Sequence, residues 1–254
     1  MKSLVISKVF SPLEDVHHHH SHTSWSKLSI QHSHPKEDQR LDANFTHWII
    51  FIANDNLNQI IQGQKDTPLN DHGISQAKLT GTYLKQTSIT FDEIWSSDLQ
   101  RAHKTATVIA ESQPKPINVQ TDVRLRERFL GDLQGKRRDA NADQSTAEPP
   151  TKVLQRLLEF WNELTSRLES TPSRNPRRIL IVSHGAALRT LIQSGLKLSY
   201  KFDSSIPERI MFGNCSITDV EHLPRKLVTR AGHVKHLDPV ESKETEVKGT
   251  VDDI

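Results

Sequence analysis

Two segments of this 254-residue chain place a basic side chain where a strand hands over to a helix. Ser183-His184-Gly185 follows the apolar run Ile179-Leu180-Ile181-Val182 and precedes the helical stretch Ala186 to Leu196. An imidazole there stands beside helix N-terminal amides, an arrangement that favours anions. Taken alone, a histidine at a strand end reads as a satisfied structural residue. Ser96-Ser97-Asp98-Leu99-Gln100-Arg101 again follows a strand and opens a helix. Arg101 in its first turn could bind a phosphate in bidentate fashion, or could be a solvent-facing surface arginine. A third segment, Leu125-Arg126-Glu127-Arg128-Phe129 with Gly131 and Gly135 behind it, reads by itself as an ordinary loop.

The elements that must carry these residues alternate between short β-type and longer helical patterns, the texture of crossovers in a mostly parallel sheet. Strands are expected at Trp48 to Ala53, Glu93 to Ser96, Ile117 to Gln120 and Ile179 to Ser183, the last buried at the centre of the sheet. Helices are expected at Gly73 to Gln86, Asp98 to Glu111, Thr151 to Ser170 and Ala186 to Leu196. In the third, Val153, Leu154, Leu157, Leu158, Trp161, Leu164 and Leu168 recur at helical spacing and make a core-facing stripe. Cys215 to Val220 and Lys226 to Thr229, separated by Pro224, suggest a late hairpin or edge pair. The polar stretch from Lys136 to Pro150 has the length of a functional loop or lid.

Composition supports one α/β domain with tails. The length allows a single sizeable core, 33 basic and 31 acidic residues leave a net charge of +2, and no long basic run argues for nucleic acid or an anionic membrane. The longest apolar run, Trp48 to Ala53, is far too short to span a bilayer. Cys215 is the single cysteine, which excludes an intrachain disulfide and fits the cytosol, and no secretory signal is expected at Met1 to Phe10. Seven histidines up to His34 lie in a stretch of low apolar periodicity, so residues 1–47 are expected to be a disordered tail, 48–236 the domain and 237–254 an acidic disordered tail. The histidines lack a matching second half-site, and no metal is expected.

A fourth segment, Gln62-Gly63-Gln64-Lys65-Asp66-Thr67-Pro68-Leu69, running through Gly73 to Gln76-Ala77, completes an ordered series. QG-x-x-D-x-PL, GxxQA, SSxxxRAxxTA, LRE and SHG together resemble the histidine phosphatases and phosphoglycerate mutases over roughly residues 54–220. Asn214-Cys215-Ser216-Ile217-Thr218 and His236-Leu237 add a softer likeness. The resemblance implies a three-layer α/β/α fold of phosphoglycerate mutase type, with a mostly parallel central sheet, acting on a small phosphorylated metabolite without cofactor. In that family a histidine in an Arg-His-Gly motif attacks phosphorus, while a second histidine and two arginines hold the phosphate and an acid protonates the leaving oxygen. By position His184 matches the second histidine, Arg101 the second arginine and Glu127 the acid. Asn56, Gln62, Gly63 and Gly185 match positions lining the phosphate pocket.

One motif departs from the pattern. At the family's spacing Arg-His-Gly-Glu falls on Ile49-Ile50-Phe51-Ile52, which offers no nucleophile and no first arginine. His47 would have to move three residues, about 10 Å along an extended strand, to take the place. Two readings follow: a chain whose N-terminal segment is misassembled in the gene model, the gene product itself being a phosphatase of this family, which the survival of Arg101, Glu127 and His184 favours, and the alternative of a pseudoenzyme that keeps the pocket for binding a phosphoester or a protein partner. The lid-like segment from Arg137 to Pro150 is shorter than a mutase would call for, which favours phosphatase over mutase.

Overall fold

The computed structural model describes residues 45–52, as backbone, and 60–137, 139, 142–171 and 175–238 with their side chains. The histidine-rich and acidic tails expected from the sequence lie almost wholly outside these residues, as does Asn56.

β4 (Arg177–His184) is the hub of a seven-stranded sheet in the order β3-β2-β4-β1-β6-β7-β5. The other strands are β1 (Phe45–Ile52), β2 (Glu93–Ser96), β3 (Val119–Thr121), β5 (Lys201–Phe202), β6 (Ile217–Leu223) and β7 (Leu227–His233). Pairing is parallel for β1–β4, β2–β4, β2–β3 and β5–β7, and only β6 runs against its neighbours. β4 shows why its sequence is continuously apolar. Ile179 and Ile181 face one core, with α3 (Pro150–Ser170) and α4 (Gly185–Thr190), while Leu180 and Val182 face the other, with α1 (Asp71–Gln86) and α2 (Gln100–Glu111). A period of two on a strand covered on both faces requires apolar residues at every position. The three-layer α/β/α architecture expected from the sequence is the one observed.

Local chemistry sets the helix ends. Asn70 caps α1, its Oδ1 accepting from Gly73 N at 2.8 Å. α3 begins with Pro150 in its first turn, where the missing N–H costs nothing, and buries Val153, Leu157, Phe160, Trp161, Leu164 and Leu168. Each such fully buried side chain stabilises the fold by about 1.5–3 kcal/mol.

Several boundaries differ from the sequence expectation. β1 begins at Phe45, so residues 45–47, assigned above to the tail, belong to the sheet: Phe45 pairs with Arg177 of β4 and Leu223 of β6, and both neighbours carry the ladder back to this residue. The helix expected from Ala186 to Leu196 is regular only as far as Thr190, then widens into a π-type turn over Leu191–Gly195 and tightens into a 3-10 turn over Leu196–Leu198. β6 and β7 form the expected hairpin, but β7 is not the sheet edge, because β5 pairs with it beyond.

Candidate functional site

The parallel strands β1, β2 and β4 all end on one side of the sheet, and the chain there turns into α2 and α4. Arg101 sits in the first turn of α2 and is 2% exposed, which sets aside the solvent-facing alternative. Its Nη2 donates to Gly63 O at 2.7 Å and its Nη1 to Lys65 O at 2.9 Å. The turn that presents these carbonyls needs a left-handed residue, supplied by Gly63 at φ 54°, and closes through Lys65 N to Gln62 O at 2.9 Å. Gln134 Oε1 braces it by accepting from Gln64 N at 2.6 Å. Asp66 then caps α2 from a distance, accepting from Gln100 N at 2.7 Å and from Gln100 Nε2 at 3.0 Å. The Gln-Gly-x-x-Asp motif is thus a bracket around Arg101. Gln62 helps to close it, its Oε1 lying 3.5 Å from Thr67 Oγ1.

His184 ends β4 at 1% exposure, and neither ring nitrogen has a hydrogen-bond partner among the described residues. That sets it apart from a satisfied core histidine. Burial, and then the positive charges of Arg101 and Arg156, hold its pKa well below the ordinary value, so the imidazole is neutral near pH 7. Burial likewise pulls the Arg101 guanidinium down, against the opposing pull of Glu127 and Asp66. Beside His184, a Cβ added to Gly185 would meet no atom of another described residue within 4 Å. The Ser216 hydroxyl, next to Ile217 of β6, is also buried without a partner among the described residues. A buried cation, an unpartnered imidazole and open space beside a glycine together suit a compact anion.

Glu127 shares this end of the sheet. Its Oε2 accepts from Ala186 N at 3.0 Å, and its Oε1 accepts from Ala187 N at 2.9 Å and from Arg128 N at 2.8 Å. The backbone carrying it is held by side chains. Ser183 Oγ donates to Leu125 O at 2.7 Å, Gln64 Nε2 donates to Glu127 O at 2.9 Å, and Arg156 Nη1 donates to Arg124 O and Arg126 O at 2.6 and 2.7 Å. The structure therefore brings Arg101, Glu127, His184, Gly63 and Gly185 to one place, with Gln62 in the bracket behind. Arg156 was not singled out from the sequence, although a signal exists: it falls on the buried stripe of α3, three residues after Val153 and four before Phe160.

The backbone of β1 ends at the same point, Phe51 pairing with Ser183 and Ile52 with His184. Among the described residues no group of three or more histidine, cysteine or acidic side chains is placed to hold a metal ion. No described helix is long and apolar enough to cross a membrane.

Residues 46–231 match the model of the histidine phosphatase superfamily (branch 1). The chain is 29% identical over 193 residues to a broad-specificity phosphatase of Saccharomyces cerevisiae, covering 72% of this chain and 82% of that protein. It is 33% identical over 203 residues to the probable phosphoglycerate mutase GpmB of Klebsiella pneumoniae, covering 72% and 89%. Among solved structures, it resembles the mycobacterial glucosyl-3-phosphoglycerate phosphatase complexed with VO3, with TM-score 0.59 and 26% identity over 76% of this chain and 100% of the other. The chain belongs to the histidine phosphatase superfamily, whose members matched here are phosphatases and phosphoglycerate mutases.

Proposed function

We propose that this protein binds the phosphoryl group of a small phosphomonoester between Arg101 and His184, as a phosphatase-type rather than mutase-type member of its family, with Glu127 as proton donor to the leaving oxygen. One observation carries the reading: the buried Arg101 cation lies within electrostatic reach of a buried imidazole whose nitrogens have no partner among the described residues, beside a Gly185 that none of their atoms crowds. A phosphate dianion would satisfy both groups at once, and fixed positive groups stabilise charge on phosphoryl oxygens in transfer. The short segment between Arg137 and α3 supports phosphatase over mutase. A single buried cysteine, Cys215, supports a cytosolic setting.

Ile49-Ile50-Phe51-Ile52 offers no group able to attack phosphorus, so the chain in this form is expected to bind without turnover. Calorimetric titration with inorganic phosphate and with vanadate tests the binding. Saturable binding, weakened at least about tenfold in Arg101→Ala and in His184→Ala, is expected from the loss of a charge-assisted contact worth about 1.5–3 kcal/mol. No binding, or binding indifferent to Arg101→Ala, would end this reading.

A second reading rests on the intact Arg101, Glu127 and His184 beside the loss of one motif inside a family match that begins at residue 46: the gene product carries Arg-His-Gly-Glu and hydrolyses phosphomonoesters through a phosphohistidine. Sequencing the transcript across codons 40–60 decides it, and finding these codons as they stand here would remove it.

A further inference from the structure

The four residues from Arg124 to Glu127 run out of the 3-10 turn Val123–Leu125 with no strand beside them, so their carbonyls must find partners elsewhere. Arg156 supplies most of them. Besides its Nη1 bonds to Arg124 O and Arg126 O, its Nη2 donates to Glu127 O at 3.1 Å. The rest of the fork is fixed from behind by Glu148, whose Oε1 accepts from Arg156 Nε at 2.8 Å and whose Oε2 accepts from Nη2 at 3.0 Å. Burial would raise the Glu148 pKa, but the Arg156 hydrogen bond and a backbone bond from Phe129 hold it below the usual carboxylate value, so it meets the guanidinium as a carboxylate. One planar guanidinium therefore spans from a carboxylate anchored at the foot of α3 to three carbonyls of the strip that ends in Glu127.

We infer that Arg156, held by Glu148, is a positioning residue that fixes the Glu127 carboxylate beside His184. The inference rests on the reading of Glu127 as proton donor, and it concerns where that donor stands rather than whether phosphate binds. The geometry requires the fork. A lysine would keep the charge but could not reach Glu148 and three carbonyls in one plane. Without the fork, Arg124 O and Arg126 O lose this partner and Glu127 O is left with Gln64 Nε2, and the strip is free to carry Glu127 off the α4 amides. A misplacement of about 1 Å at such a group is enough to spoil proton transfer.

The test uses the full chain and needs no turnover. The first N–H groups of a helix have no intrahelical acceptor, so protection at Ala186 and Ala187 reports on the Glu127 carboxylate they donate to. Amide hydrogen exchange followed by NMR should find both slow in the wild type. Arg156→Met and Arg156→Lys should each speed exchange at Ala186 and Ala187 by at least about tenfold, while the amides of Ile181 and Val182 in β4 stay protected. Glu148→Gln, which leaves the arginine in place, should loosen the same two sites to a lesser degree and decides the matter if the Arg156 variants fail to fold. Unchanged exchange at Ala186 and Ala187 in a folded variant overturns the inference. So does loss of protection that extends through β4, the mark of a general packing role. Phosphate titration of the same proteins keeps the two proposals apart: a wild type that binds no phosphate defeats the proposed function and leaves the exchange result standing.

Discussion

Ile52 and His184 are direct partners in the parallel ladder between β1 and β4. The end of β1 thus lies one strand spacing, about 4.8 Å, from the residue that matches the family's second histidine. A phosphate proposed at His184 would therefore have this end of β1 within reach. Replacing Ile49-Ile50-Phe51-Ile52 with Arg-His-Gly-Glu should create turnover of phosphomonoesters where the parent shows none. In that background Glu127→Gln should slow hydrolysis of an alkyl phosphate by about 10²–10⁴-fold. It should slow p-nitrophenyl phosphate far less, because its phenolate leaves without a proton. Equal loss on both substrates in steady-state kinetics would speak against Glu127 as the donor.

Gly185 allows a test that separates binding from folding. Its backbone is not in the left-handed region, and a Cβ there meets nothing, so Gly185→Ala should fold normally and gain the modest helix preference of alanine, up to about 1 kcal/mol. Calorimetry should nevertheless show phosphate affinity falling at least about tenfold, because the methyl group occupies the space proposed for the ligand. An alanine variant that binds as the parent does would locate the ligand elsewhere.

The hub role of β4 predicts where stability is concentrated. Leu180 is fully buried against α1 and α2, and Leu180→Ala should cost about 2–5 kcal/mol in urea unfolding. Leu198→Ala, at a side chain exposed to solvent, should change stability by less than about 0.5 kcal/mol.

Acid should weaken the fold in a defined window. Burial, the largest cause in each case, depresses the pKa of His184, His222 and His236, the last to about 4. A histidine depressed in the folded state binds fewer protons there than in the unfolded chain, so stability is complete above about pH 6.5 and falls as pH drops below it. Glu93 and Glu148, held low by arginine partners despite burial, add losses in the same direction at lower pH, while Asp219, pushed up by burial, opposes them. Thermal melts should show a lower Tm at pH 5 than at pH 7, and His236→Gln should flatten the difference. A flat profile in the parent would contradict these assignments.

Much of this architecture is legible from sequence. β2 falls at its expected bounds and α3 within one residue of them, because β-type and 3.6-residue patterns dominate locally. β5 could not be read, since two residues paired only to β7 leave no periodic trace. The early start of β1 was hidden for a related reason: Phe45-Thr46-His47 is ordinary polar-flanked sequence until β4 and β6 extend alongside it. The motifs located Arg101, Glu127 and His184, but not why Arg101 is buried or that His184 is unpartnered, for these depend on Gly63, Lys65 and Asp66 arriving from a distant turn. The role of Arg156 has no local signature, since its carbonyl partners lie about thirty residues away.

Those same long-range bonds bear on the order in which the molecule assembles. The strip ending in Glu127 is tied down by groups 58, 63 and 32 positions distant, from β4, the glycine turn and α3. Contacts of such separation form only after large loops have closed, so the helices can condense early while the place for the carboxylate does not yet exist. The place of Glu127 exists only once β4, the glycine turn and α3 have come together.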